Sequence, residues 1–98
     1  MFVLIHHNIR DPKKWEEATA KVVPIIEQGR LPRGLKAFTY LPCTDGRRAD
    51  CLWEADTLQT LKGFLEPLTG DAADNDYLPV NAEQSMGLPI PTEVRKAA

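Results

Sequence analysis

Charge imbalance, cysteine and long apolar runs are all scarce in this chain, and each scarcity removes a class of function. Twelve Lys and Arg stand against 14 Asp and Glu, a formal net charge of −2. That balance provides no electrostatic reason for a nucleic acid or an anionic membrane as partner. Two cysteines, Cys43 and Cys51, are too few for a disulfide framework, and in a reducing compartment they are expected as thiols. No apolar run approaches the roughly 20 residues that a bilayer-spanning helix needs. The first residues also lack the basic segment and long apolar region of an export signal, so a cytoplasmic location is expected. Missing as well are a glycine-rich phosphate loop, a Cys-x-x-Cys pair, a helical His-Glu-x-x-His and a nucleophile elbow. Nucleotide hydrolysis, zinc proteolysis and serine hydrolysis are therefore poor readings.

What remains is an ordinary globular composition, 43% hydrophobic and 27% charged over 98 residues. A chain of that length forms one domain and buries only about 60 to 65% of the surface its unfolded form exposes, a thin core that a partner subunit would help. The domain is expected over residues 1–86, followed by an irregular tail over 87–98 that carries Pro89 and Pro91.

Phe2 to Ile9 reads as a strand apolar on both faces at its start, because Phe2 and Leu4 alternate with Val3 and Ile5. Asp11 is an N-cap and Pro12 a first helical residue, where the missing amide hydrogen costs nothing. Trp15, Ala18, Thr19, Val22, Ile25 and Ile26 follow at helical spacing. Pro24 predicts a kink or an early end near Val23. Leu35 to Cys43 and Arg48 to Glu54 read as two strands joined by a hairpin at Asp45-Gly46, a pair suited to a tight turn with positive φ at both central residues. Asp56 is expected to cap a second helix from about Thr57 to Glu66, with Leu58, Leu61, Leu65 and Leu68 as its buried stripe. Asp71 to Asp76 reads as a solvated loop and Tyr77 to Ala82 as a fourth, edge strand.

The order βαββαβ is the ferredoxin-like α+β arrangement, a four-stranded antiparallel sheet with both helices on one face. The first and third strands are expected as parallel central neighbours, which would bring His6 or His7 near Trp53 or Glu54. The second sheet face, apolar at its start and uncovered, predicts burial against a second copy, hence a homodimer.

Over residues 2 to 86 the element order, and the segment Asp45-Gly46-Arg47 followed by Cys51-Leu52-Trp53-Glu54-Ala55-Asp56, resemble the dimeric α/β-barrel superfamily. Within it the chain is most similar to small groups with an Asp-Gly hairpin and a Cys-x-[Trp/Tyr]-Glu-Ala strand end, some described as nickel-binding. The superfamily also holds stress-response proteins, muconolactone isomerases, haem-degrading enzymes and antibiotic-biosynthesis-type monooxygenases. The resemblance implies a pocket between sheet and helices, with Trp53 matching a tryptophan of the third strand and His6 or Asn8 at the place of an asparagine in the first.

Strand alternation separates the two histidines, since neighbouring residues point to opposite faces. His6 shares a face with Phe2, Leu4 and Asn8, and His7 with Val3, Ile5 and Ile9. His6 is preferred as the site residue because its face turns polar at Asn8, whereas His7 continues an apolar series. A two-residue turn would set Cys51 opposite Tyr40 and Trp53 opposite Phe38; a three-residue loop would set Cys51 opposite Thr39 and Trp53 opposite Ala37.

Three functions follow as expectations. The first is a small apolar or planar ligand held by Tyr40, Trp53, Phe38 and Asn8, with His6 as a general base in a cofactor-independent oxygenase or isomerase. The second is a transition metal such as nickel on His6, His7, Glu54 and Cys51. The third is a non-catalytic structural module, in which the aromatic residues are core and both histidines are ordinary polar groups at a strand end.

Overall fold

A computed structural model describes residues 1–89. The tail expected at 87–98 is irregular over 87–89, and its remainder lies outside the described residues. The elements are β1 (Phe2–Ile9), α1 (Pro12–Glu27), β2 (Leu35–Pro42), β3 (Arg48–Ala55), α2 (Leu58–Thr69) and β4 (Ala73–Pro79), then a 3-10 turn at Ala82–Gln84. They form one four-stranded sheet in the order β2-β3-β1-β4, with every neighbouring pair antiparallel. This is the ferredoxin-like α+β fold.

The antiparallel pairing of β1 with β3 corrects the parallel neighbours expected above. A hairpin joins β2 to β3 and so reverses the chain, and the α1 crossover keeps β2 in the direction of β1. The strand inserted between them must then run against both. In consequence Trp53 opposes Val3 and Glu54 opposes Phe2, whereas His6 and His7 oppose Asp50 and Ala49 at the other end of β3.

Each helix starts at a side-chain cap. Asp11 accepts from the amide of Lys14, and Thr57, not Asp56, accepts from that of Thr60, contributions of about 1 kcal/mol each. Asp56 instead accepts from the Thr57 amide at 2.7 Å. Neither internal proline stops its helix. α1 continues through Pro24 to Glu27 and α2 through Pro67 to Thr69, because Pro removes only the bond to the residue four back, and the following turn is closed by others. At the end of α1 the amides of Gly29 and Arg30 donate back to Ile26 and Ile25, the paired closure that satisfies the last carbonyls.

From Ala73 on, the acidic stretch expected as a loop is strand, and β4 ends at Pro79, short of the Ala82 expected for the fourth strand. Ala73, Asn75 and Tyr77 face the helices, and Asp74, Asp76 and Leu78 face away. An edge strand tolerates carboxylates on its outer face, and a polar Asn75 on the inner face hid the alternation.

The core lies between sheet and helices in two clusters. One gathers Val3, Ile5, Leu35, Cys51, Trp53, Ala55, Leu61 and Leu65. The other gathers Trp15, Ala49, Ala72 and Ala73.

Candidate functional site

A cavity of about 250 Å³ opens between α1 and the sheet, where the two clusters meet. Its wall is almost wholly apolar. α1 contributes Trp15, Val22 and Ile26, β2 contributes Ala37 and Tyr40, and β3 contributes Cys51 and Trp53. Such concave apolar sites with few polar groups are the usual form of a small-molecule site.

The register of β2 against β3 combines both expectations. Tyr40 opposes Cys51, as for the two-residue turn, but Trp53 opposes Ala37, as for the longer loop, because a bulge lies between Ala37 and Thr39. The extra residue is Phe38, whose ring turns toward Phe2 at 5.9 Å and carries the Lys36 ammonium over it. Two residues of one strand here oppose one of the other, so the strand bends and re-aims its side chains. The hairpin loop is four residues, closed by Cys43 and Arg48, with the Gly46 amide donating to the Cys43 carbonyl. Within this loop only Gly46 has positive φ, at 72°, so the turn is not the doubly left-handed type expected of Asp45-Gly46.

Of the polar residues that border the cavity, His7 is the most deeply held in a hydrogen-bond network. It is 2% exposed, and the Trp15 ring packs on it with centroids 4.7 Å apart. Nδ1 lies 2.6 Å from Asn75 Oδ1, and Nε2 lies 2.9 Å from Cys51 Sγ. The tautomer follows from the neighbours. Asn75 Nδ2 donates to Glu66 Oε2 at 2.7 Å and to Thr69 Oγ1 at 3.0 Å. Its carbonyl oxygen is thereby left facing His7 as an acceptor, so Nδ1 carries the hydrogen and Nε2 keeps its lone pair for the Cys51 thiol. Tyr77 donates to the same Glu66 oxygen at 2.6 Å. A continuous line of hydrogen bonds thus runs Cys51, His7, Asn75, Glu66, Tyr77.

Burial sets the charge states. Loss of solvent lowers the His7 pKa, against the raising effect of its bond to Asn75. The same loss pushes the Cys51 thiol up to about 12. Both groups are therefore neutral at pH 7. Burial also raises the pKa of Tyr40. Its hydroxyl accepts from Trp15 Nε1 at 3.0 Å, which leaves the phenol hydrogen free to donate.

His6 is placed differently from the expectation. It lies on the sheet face away from the helices, with Nδ1 2.5 Å from Asp50 Oδ1, and it does not border the cavity. Asn8 shares that face and donates to the Asp74 carbonyl and the Asp76 carboxylate. The preference for His6 rested on the polar turn of its face, yet the helices cover the more apolar face, and His7 is carried there with Val3 and Ile5. Of the residues singled out as ligand contacts, Tyr40, Trp53 and Phe38 border the cavity and Asn8 does not. The four metal candidates are not brought together. His7 and Cys51 touch, His6 is on the opposite face, and Glu54 is paired with Phe2 at the far end of the strands. Among the described residues no group of three His, Cys, Asp or Glu side chains is arranged to hold a metal ion. Asn75, Glu66 and Thr69 were not singled out, since a lone asparagine in an acidic run carries no local signal; Trp15 was visible only as part of a helical stripe.

Among the described residues, no helix is long and apolar enough to cross a membrane. No family model, curated protein or solved structure matches the chain.

Proposed function

We propose that this protein binds a small, apolar, planar molecule in the cavity between α1 and the sheet, and that His7 is the polar group that orients it. The observation carrying this reading is the pairing of an aromatic-walled cavity with one buried, neutral imidazole whose tautomer is locked by Asn75. Once the Cys51 thiol turns off Nε2, the neutral imidazole can take a proton from an acidic O–H or C–H of the bound molecule, the chemistry a cofactor-independent oxygenase or isomerase requires. An open cavity at the junction of the two clusters favours this over a purely structural role, in which side chains would fill it.

2-Naphthol is a suitable reporter, being planar, apolar and equipped with one acidic hydroxyl. Titration should quench the tryptophan fluorescence of Trp15 and Trp53 saturably, with a dissociation constant below about 1 mM, or roughly 4 kcal/mol of binding. His7→Gln should weaken it by about 2- to 10-fold, the loss of one neutral hydrogen bond. Absence of saturable quenching at millimolar reporter would refute the reading.

The functional unit we infer is a homodimer resembling the dimeric α/β barrels. On the face away from the helices Leu52, Leu4 and Leu78 form one row across β3, β1 and β4, with Leu78 43% exposed. The adjoining rows carry Asp50, His6 and Asp76, then Arg48, Asn8 and Asp74. An apolar row bordered by polar groups is the layout of a protein interface. Sedimentation should give twice the 11.0 kDa chain mass, and Leu4→Lys should return the protein to a monomer. A wild-type monomer at micromolar concentration would remove the dimer.

A further inference from the structure

The proton acceptor of this cavity is already engaged by a nucleophile. Cys51 Sγ lies 2.9 Å from His7 Nε2, and His7 Nδ1 is held by Asn75 at 2.6 Å. Nucleophile, base and orienting group are thus in hydrogen-bond succession, the arrangement that activates a thiol by taking its proton as it attacks. Cys51 and His7 both border the cavity. Cys51 is also the cross-strand partner of Tyr40, whose hydroxyl retains a hydrogen to donate.

We propose that Cys51 is a nucleophile, with His7 as its base and Asn75 as a positioning residue, and that the substrates are small planar α,β-unsaturated carbonyl compounds taken by conjugate addition. This rests on the reading of the cavity as a small-molecule site. The wall chemistry selects the class. Its aromatic and aliphatic surface suits an uncharged conjugated molecule, and a sulfur nucleophile prefers a soft carbon centre to a hard one. Among the described residues bordering the cavity, Glu27 is the only charged side chain and there is no Lys or Arg. A phosphorylated or carboxylated substrate would therefore lack a counter-charge.

The step balances without an oxidant or reductant. The Cys51 S–H proton passes to His7 Nε2 as sulfur bonds to the β-carbon. The carbon–carbon π pair shifts toward the carbonyl, and the developing enolate oxygen can accept the Tyr40 hydrogen bond. His7 then returns the proton to the α-carbon, leaving a saturated thioether and a neutral imidazole. Asn75 holds Nδ1–H throughout, and the Glu66 carboxylate bonded to Asn75 lies on the side where the imidazolium charge forms.

The test uses the full chain with Cys43→Ser, which removes the exposed thiol. The probe is 4-phenylbut-3-en-2-one, and its saturated analogue 4-phenylbutan-2-one reports binding alone through tryptophan quenching. Intact-mass spectrometry at pH 7 should show one probe added, located on Cys51, with a rate that saturates in probe. His7→Gln should slow addition by at least about 100-fold, the lower end of what a positioned base contributes, while the analogue still binds. Asn75→Ala should also lower the saturating rate of addition while leaving binding of the analogue unchanged, a split that a merely structural role would not give. Circular dichroism establishes that each variant is folded. Binding of the analogue without addition at Cys51 overturns this proposal and leaves the cavity reading standing. Addition unaffected by His7→Gln likewise overturns it, and failure of the analogue to bind removes both.

Discussion

Asn75→Ala removes one carboxamide from behind the candidate site and leaves the cavity wall intact. The carboxamide accepts from His7 Nδ1 and donates to Glu66 and Thr69. Its loss falls unequally on those partners. Glu66 keeps its bond from Tyr77, and Thr69 still donates to the Leu65 carbonyl at 2.8 Å. His7, 2% exposed, has no comparable substitute for Nδ1–H. A buried donor left without a partner costs about 1 to 3 kcal/mol, and in a domain of this size each kcal/mol lowers Tm by roughly 4 to 8 °C. A decrease of about 4 to 24 °C is expected by thermal unfolding. The imidazole has one escape, to move its hydrogen to Nε2 and donate to Cys51. Nitrogen NMR of the histidine ring distinguishes that exchange from the native tautomer, so stability and tautomer are read together. A decrease below about 3 °C with Nδ1 still protonated would refute the argument that Asn75 holds His7.

Two pH dependences and one backbone effect follow from the same structure. His7 has its pKa lowered by burial, so below its ordinary value of 6.5 the unfolded chain binds a proton that the folded one refuses. Stability should therefore fall with decreasing pH from about 6.5 to the folded pKa, at up to about 1.4 kcal/mol per pH unit, and His7→Gln should flatten this part of a denaturant-midpoint profile. Cys51, raised from 9.0 to about 12, acts in the opposite direction. Its contribution is intact below pH 9 and is lost as pH rises toward 12, and Cys51→Ala should remove that alkaline slope from the same measurement. Gly34→Ala should destabilise by about 1 to 3 kcal/mol in urea unfolding, because its φ is +93° and a Cβ would stand 2.6 Å from Asp56 Oδ2. An unchanged midpoint would contradict the strain assigned there.

The outline of the fold was legible because its signals are local. Alternation in Phe2 to Ile9, the Asp11-Pro12 start, the helical stripe from Trp15 and the Asp45-Gly46 turn each depend on a few neighbouring residues, and together they order the elements. The misreadings share a different origin. Asp71 to Asp76 carries the composition of a solvated loop, and the pairing of its residues from Ala73 on as β4 depends on an open sheet edge beside β1. Pro24 predicts a kink or an early end by itself, yet α1 runs on through it to Glu27, and α2 passes Glu66 and Pro67 to reach Thr69. The bulge at Phe38 has no residue signature, and it is what sets Ala37 rather than Phe38 opposite Trp53.

The sequence by itself determined which residues travel together. Period-two alternation separates His6 from His7 and groups His7 with Val3 and Ile5, whatever the fold, because successive strand residues point to opposite sides. Only the tertiary structure decided which side became the interior. The helices lie on the Val3, Ile5 and His7 side, where burial removes apolar surface from water. That choice turned His7 from the less favoured histidine into the buried one. The antiparallel course of β3 and the pairing of β4 then brought Cys51 and Asn75, 44 and 68 residues away in sequence, within hydrogen-bond reach of the same imidazole.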